Sequence, residues 1–174
     1  KVLKFGGSSI SSSKSISNVI EIVKNESDKL CIVVSAIANV TDHLLDCLEL
    51  AKTQKKDEYK SLISKIEKIN LEPIKDFIPF EYQSKSISFV KKHLNEIESL
   101  LDSIFLWKEI TNKNLYTISG YGEIISSYII NEIFIHNGIE SEHKDSRLFV
   151  KTKLEDGVQI LDDEFTGKKF NEHF

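Results

Sequence analysis

The stretch KVLKFGGSSISSSKS, residues 1–15, decides how the rest of the chain is read. Residues 1–5 place lysine among apolar side chains and read as a short strand, which Gly6-Gly7 stops. Beyond the serines, Ile16, Val19, Ile20 and Val23 recur at i, i+3, i+4 and i+7, the spacing of an amphipathic helix. Leu30 to Val34 (LCIVV) is a continuous, β-branched apolar run, which predicts a strand covered on both faces, as in a parallel sheet. Strand, loop, helix, strand is a βαβ unit. The expected class is therefore α/β, a three-layer α/β/α sandwich with helices on both faces of a mainly parallel sheet.

A strand that ends in Gly-Gly and feeds a helix leaves backbone N–H groups at the positive end of that helix, an arrangement that binds anions. Two common phosphate patterns are absent. G-x-x-x-x-G-K-[ST] would need glycines at positions 8 and 13, both serine, and G-x-G-x-x-G fails because no glycine follows Gly7 until Gly120. What remains is Lys4. Alternation along a strand sends it to the face opposite Phe5, where its ammonium can lie over the loop and meet phosphoryl oxygens. On spacing alone the same residues also fit a tight turn with Lys4 as a solvated strand-end charge.

Ser35 closes the second strand, and Thr41 opens a helix with Leu44, Leu45 and Leu48 on its apolar face. From Asp42 to Asn114 there is no strand signal: Leu62, Ile63, Ile66 and Ile69 mark one helix, and Ile87, Val90, Leu94, Ile97, Leu101 and Ile104 mark another. That last series is a heptad seam, shorter than the ~3 to 4 heptads of a coiled coil, and is expected to pack within the chain rather than zip two copies together. SGYGE at 119–123 precedes a helix carrying Ile125, Tyr128, Ile129 and Ile133, which Asn137-Gly138 should cap. Residues 139–143 are expected to form another strand, Asp156-Gly157 to turn a hairpin, and the final residues to begin a helix.

The 174 residues can bury a core of their own as one domain. With 40% hydrophobic and 29% charged residues and a net charge of −4, the composition is that of a globular protein. Cations and acids are mixed along the chain and Arg147 is the only arginine, which argues against a nucleic-acid partner. No apolar run nears the ~20 residues of a membrane span, and the polar stretch after Phe5 does not suit a secretory signal. The expected compartment is the cytoplasm, with Cys31 and Cys47 as buried thiols rather than a bridge. Asp42, His43, Asp46 and Cys47 gather at one helix start, but Asp42 lies off the face that His43 and Cys47 share, so no metal site is expected. Methionine is absent throughout, as expected either of a piece of a longer protein or of a chain whose methionines are replaced by non-standard residues.

KFGGSS at 4–9, VVSAIANVTDHLL at 33–45, SGYGEIISS at 119–127 and DSRLFVKT at 145–152 together resemble, in order and spacing, the N-terminal portion of aspartate kinases of the amino-acid kinase family. The first is close to that family's K-F-G-G-[ST]-S and the second to its V-S-A-x-x-x-[IV]-T-[ND]. The helical stretch from about 43 to 115 resembles the insert of the aspartate kinases. The resemblance covers essentially all of the chain but only about the first half of the family's kinase domain. The later G-R-x-G-S-D segment has no counterpart here, nor do the ACT domains or the homoserine dehydrogenase to which some members are fused.

What the resemblance implies is phosphoryl transfer from ATP, with Mg2+ carried on the nucleotide, to the β-carboxylate of L-aspartate, in a protein that forms a homo-oligomer at full length. Lys4, Phe5, Gly6, Gly7 and Ser8 match the ATP phosphate-binding motif, Lys4 also serving catalysis, with Ser8 where threonine is commoner. Thr41 and Glu123 match residues that hold aspartate, and Ser35 stands at a strand end, where ligands of open α/β sheets bind. Each has a plainer reading: Thr41 as a helix N-cap, Glu123 as a first-turn acid favoured by the helix dipole, Ser35 as a hydroxyl bonded to backbone. Asp145 and Arg147 fit a D-x-R stretch and read as a surface pair. Related kinases of glutamate, acetylglutamate or carbamate, and a non-catalytic helical interaction module, are the alternatives. Without the later nucleotide segment, little or no activity is expected of these residues alone.

Overall fold

The computed structural model describes residues 1–155 and 158–173 and divides into two compact units, residues 1–141 and 142–174. In the first unit, β1 (Val2–Phe5) runs into a short 3₁₀ turn (Gly7–Ile10) and then α1 (Ser13–Lys24). The chain returns as β2 (Cys31–Val34), parallel to β1 with Val2 opposite Cys31 and Phe5 opposite Val34. The expected βαβ unit is present. Ser12 caps α1 through a reciprocal bond with Ser15, and the predicted face of Ile16, Val19, Ile20 and Val23 is buried.

Three expectations fail in this part. The glycines do not feed α1 directly, because the 3₁₀ turn intervenes and Ser12 occupies the helix start with its own side chain. β2 is covered on one face only. Phe5, Ile32 and Val34 pack toward the core, whereas Val33 is 47% exposed beside Lys4 and Val2 on the outer face. Cys31, on that same half-covered strand, is only partly buried, while Cys47 is fully buried; both are free.

The rest of the unit is helical: α2 (Val40–Lys52), α3 (Lys56–Phe77), α4 (Gln83–Trp107), α5 (Asn112–Ser119) and α6 (Tyr121–His136). Val90, Leu94, Ile97, Leu101 and Ile104 of the seam are buried in one core with Leu44, Leu48, Tyr59, Ile63 and Ile66. The seam is spent within the chain. α6 ends as expected: Gly138 takes φ +78°, its N–H donates to Ile135 O, and the Ile139 N–H donates to Phe134 O at 2.9 Å, closing a Schellman motif. Residues 139–143 form no strand. The one apolar residue there, Ile139, is used by this helix stop, and Ile-Glu-Ser-Glu-His offers no run of β-formers to extend from it.

The second unit holds a 3₁₀ turn (Ser146–Leu148), β3 (Thr152–Glu155) antiparallel to β4 (Val158–Leu161), and α7 (Asp163–His173). The hairpin pairs Glu155 with Val158. Its expected turn, Asp156-Gly157, lies outside the described residues. Taken together, the described residues make an α/β chain that is mostly helix, with two separate two-stranded sheets.

The Tyr59 ring is buried between α3 and α4, and its hydroxyl donates to Asp102 Oδ1 at 2.6 Å while Lys56 Nζ approaches the same oxygen at 2.7 Å. Lys56 and then Tyr59 hold the Asp102 carboxyl below its usual range, and burial followed by Asp102 pushes the Tyr59 phenol up. A depressed carboxyl stabilises the fold above its unfolded pKa, and that contribution is lost as pH falls through the lower folded value. Asp102→Ala is therefore expected to cost about 1 kcal/mol near neutral pH, kept small because both ionic partners are nearly half exposed. In urea denaturation the gap between variant and parent should be level above pH ~5 and close below the ordinary Asp value of ~3.9.

Candidate functional site

Gly7, Ala36 and Gly122 form the point at which three segments of the first unit meet. A Cβ on Gly7 would fall 2.6 Å from the Ala36 carbonyl oxygen and 3.2 Å from the Ala38 nitrogen, both backbone. A Cβ on Gly122 would fall 2.6 Å from the Ala36 Cβ and 3.4 Å from Val40 Cγ1. Only glycine allows such approaches. The loop after β1, the segment joining β2 to α2 and the first turn of α6 are thereby held at backbone distance. Ser35 is tied on both sides, its N–H donating to Phe5 O at 3.1 Å and its carbonyl accepting from Ser126 Oγ at 2.7 Å.

Lys4 is exposed on the face opposite Phe5, and its Nζ lies 4.0 Å from where a Gly6 Cβ would stand, so the ammonium folds back toward Gly6. The Ser9 N–H donates to Gly6 O at 2.9 Å, while the N–H groups of Gly6, Gly7 and Ser8 meet no backbone acceptor among the described residues. A cation above open N–H groups suits an anion. Beside the loop, a cavity of about 140 Å³ lies between Ser11–Ser13, residues 37–39 and the Ile69–Pro73 stretch. Its volume suits a few heavy atoms, well below what a nucleotide needs.

Glu123 stands in the first turn of α6, directly after Gly122, half-buried and without an ion pair or side-chain hydrogen bond among the described residues. Thr41 is the second residue of α2, half-buried and likewise unbonded at its hydroxyl. It is not the cap of that helix. Asn39 takes the cap position at φ +69° with no side-chain bond, and this left-handed residue turns the chain from Ala36 into α2. The Ser35 hydroxyl does not bond backbone either; its carbonyl carries the contact. The sequence signals for Lys4, Gly6, Gly7, Ser35, Thr41 and Glu123 thus fall on three segments that touch. Ala36, Gly122 and Ser126 escaped sequence reasoning, although Gly122 and Ser126 are four apart on one face of α6, the spacing by which a helix grips a neighbour.

Two other groups are accounted for structurally. Cys47 is buried with its thiol donating to Tyr59 O at 3.7 Å, and burial, then the neighbouring Asp46, pushes it up to about 12, which keeps it a neutral thiol near neutral pH. In the second unit Asp145 accepts from the Arg147 backbone N–H and pairs with its guanidinium at 2.6 Å, which holds the carboxyl below its usual range and caps the turn that follows.

The sequence pattern described as the amino acid kinase family matches residues 1–166. A bifunctional aspartokinase/homoserine dehydrogenase of Buchnera aphidicola is 28% identical over 138 residues, 76% of this chain and 17% of that protein. The chloroplastic bifunctional aspartokinase/homoserine dehydrogenase 2 of Arabidopsis thaliana is 25% identical over 147 residues, 84% of this chain and 16% of that one. Among solved structures, E. coli aspartokinase III in complex with aspartate and ADP superposes with a TM-score of 0.86 over 98% of this chain and 36% of its own, at 20% identity. The fold is shared, and the chain spans about a sixth of the length of those two bifunctional relatives.

The glycines give a direct contrast. Gly7→Ala forces a Cβ against backbone on two residues and should cost about 1–3 kcal/mol of stability. Gly6→Ala meets only the far end of Lys4 and should leave the melting temperature within a degree or two. Thermal unfolding of the two variants side by side checks this.

Proposed function

This chain belongs to the amino acid kinase family, and from that premise we propose that it forms the phosphate-loop and amino-acid side of an aspartate kinase. The observation that carries the reading is the junction at Ala36, which Gly7 and Gly122 abut from two sides. It sets a cationic loop with open N–H groups and a turn bearing an unpaired carboxylate against one short segment. That segment is continuous with Ser35 and Thr41. A phosphate donor and an acceptor with an ammonium group have complementary partners there.

In the reaction proposed, a β-carboxylate oxygen of L-aspartate attacks the γ-phosphorus of ATP, an O–P bond forms, the bond to the β,γ-bridging oxygen breaks, and ADP leaves. An ionised carboxylate needs no general base, so positioning and charge neutralisation supply the catalysis. Mg2+ on the nucleotide neutralises phosphate charge. Lys4 and the amides of Gly6, Gly7 and Ser8 stabilise charge on the transferring group, with Phe5 fixing the strand end beneath them. Glu123 pairs with the α-ammonium of aspartate, and Thr41 and Ser35 offer hydroxyls to it. No covalent enzyme intermediate is involved.

The half-covered sheet bears on the finer architecture. A two-stranded parallel sheet with Val2 and Val33 exposed is an unfinished one by the usual rule that parallel sheets are buried on both faces. On our reading, further strands and helices of a complete kinase domain extend it into a three-layer sandwich and bring the remaining nucleotide contacts. The 174 residues alone then turn over little or no substrate. The pathway role is the first step toward lysine, threonine and methionine, in a cytoplasmic homo-oligomer. Among the described residues no helix is long and apolar enough to cross a membrane.

Aspartyl-hydroxamate formation from ATP and aspartate by the full-length protein tests the reading. Lys4→Ala should lower kcat about a hundredfold or more, and Glu123→Gln should raise the KM for aspartate while sparing that for ATP. Activity with glutamate and none with aspartate would transfer the assignment to a sister kinase, and full-length rates from residues 1–174 alone would overturn the division of the site.

A further inference from the structure

We infer that Ser126 is a positioning residue for the amino-acid side of the site: from inside α6 it grips the end of β2 and sets where Glu123 stands relative to Ser35. The inference rests on the roles proposed for those two residues. Ser126 is fully buried, with Oγ 2.7 Å from Ser35 O and 3.3 Å from Glu123 O. A hydroxyl has one proton to give, and the shorter contact takes it. Helical serines usually bond back to a carbonyl of their own preceding turn, as Ser99 and Ser103 of α4 do. Ser126 instead spends its proton on a carbonyl 91 residues earlier in the chain.

Gly122 and Ser126 work as a pair. They lie one turn apart on the face of α6 that meets residues 35–36, and they constrain different degrees of freedom. Gly122, with no room for a Cβ beside Ala36, sets how near the helix comes. A hydrogen bond is directional, so Ser126 sets how far α6 slides and rotates along the strand end. Ser35 has its N–H on Phe5 O and its carbonyl on Ser126, so its backbone is fixed at both polar groups and its side-chain hydroxyl stays available. Glu123, in the turn between the two contacts, inherits its place from them. A shift of about 1 Å is enough to cost a bound ligand heavily.

The test uses the full-length protein with ATP, aspartate and coupled detection of ADP. Ser126→Ala removes the donor with almost no change of volume and is expected to raise the KM for aspartate about tenfold, leaving the KM for ATP within twofold of the parent. Ser126→Cys keeps a weak donor and should fall between; if the alanine variant does not fold, the cysteine variant decides alone. Melting temperatures are recorded on the same samples. A lower melting temperature with both KM values unchanged would show a merely structural serine and overturn the inference, as would an equal rise in both. No aspartate-dependent ADP from the unaltered protein would instead sink the kinase reading itself, and this inference with it.

Discussion

Everything at the candidate site depends on the room around Ala36. Its carbonyl is hard against Gly7 and its methyl hard against Gly122, so two elements separated by more than a hundred residues are registered on one small residue. The constraint is steric and therefore insensitive to salt or pH. Close packing transmits it, since an interior with no slack cannot move one of these segments without the others. The hydrogen bonds from Ser35 to Phe5 and from Ser126 to Ser35 add direction to what the contacts fix in distance.

The helices supply the rigidity that such a junction needs. α2, α3 and α4 pack around Leu44, Leu48, Tyr59, Ile66, Ile97 and Leu101, none more than 1% exposed. Ser13 at the start of α1 donates to Asp76 near the end of α3, which ties the βαβ unit to the helical part through a side chain. The seam on α4 belongs to this core. An apolar repeat of that length, when other helices of the same chain can cover it, is taken up locally because intramolecular burial avoids the entropy of association.

Periodicity made much of this legible. The faces of α1, α4 and α6 and the Gly138 stop could be read from spacing, because helix geometry maps sequence position directly onto direction. What could not be read are relations set by tertiary contact. Val33 looks as buried as Val34 in the sequence, and only the absence of a covering element on its face makes it exposed. Asn39 rather than Thr41 caps α2 because the chain must turn sharply out of the Ala36 junction, and a left-handed residue does that. Residues 139–143 form no strand because the helix stop uses Ile139, the one apolar residue there, and nothing after it continues a β pattern. Gly6 and Gly7 stand side by side in the sequence, yet nothing local distinguishes Gly6, which has space, from Gly7, which has none.

Glu123 differs from Glu132 and Asp102 in what surrounds its carboxylate. Two other carboxylates have partners: buried Glu132, 9% exposed at its side chain, meets Lys85 at 3.2 Å, and half-exposed Asp102 draws both Lys56 and Tyr59. Half-buried Glu123 has neither cation nor donor among the described residues, although its place at the start of α6 gives it the favourable end of the helix dipole. A dipole end is worth only a fraction of what a directly paired ammonium gives. An open carboxylate beside the unbonded hydroxyls of Thr41 and Ser35 leaves binding capacity at this junction, and on the reading proposed above an α-ammonium is the simplest chemical group that would use it.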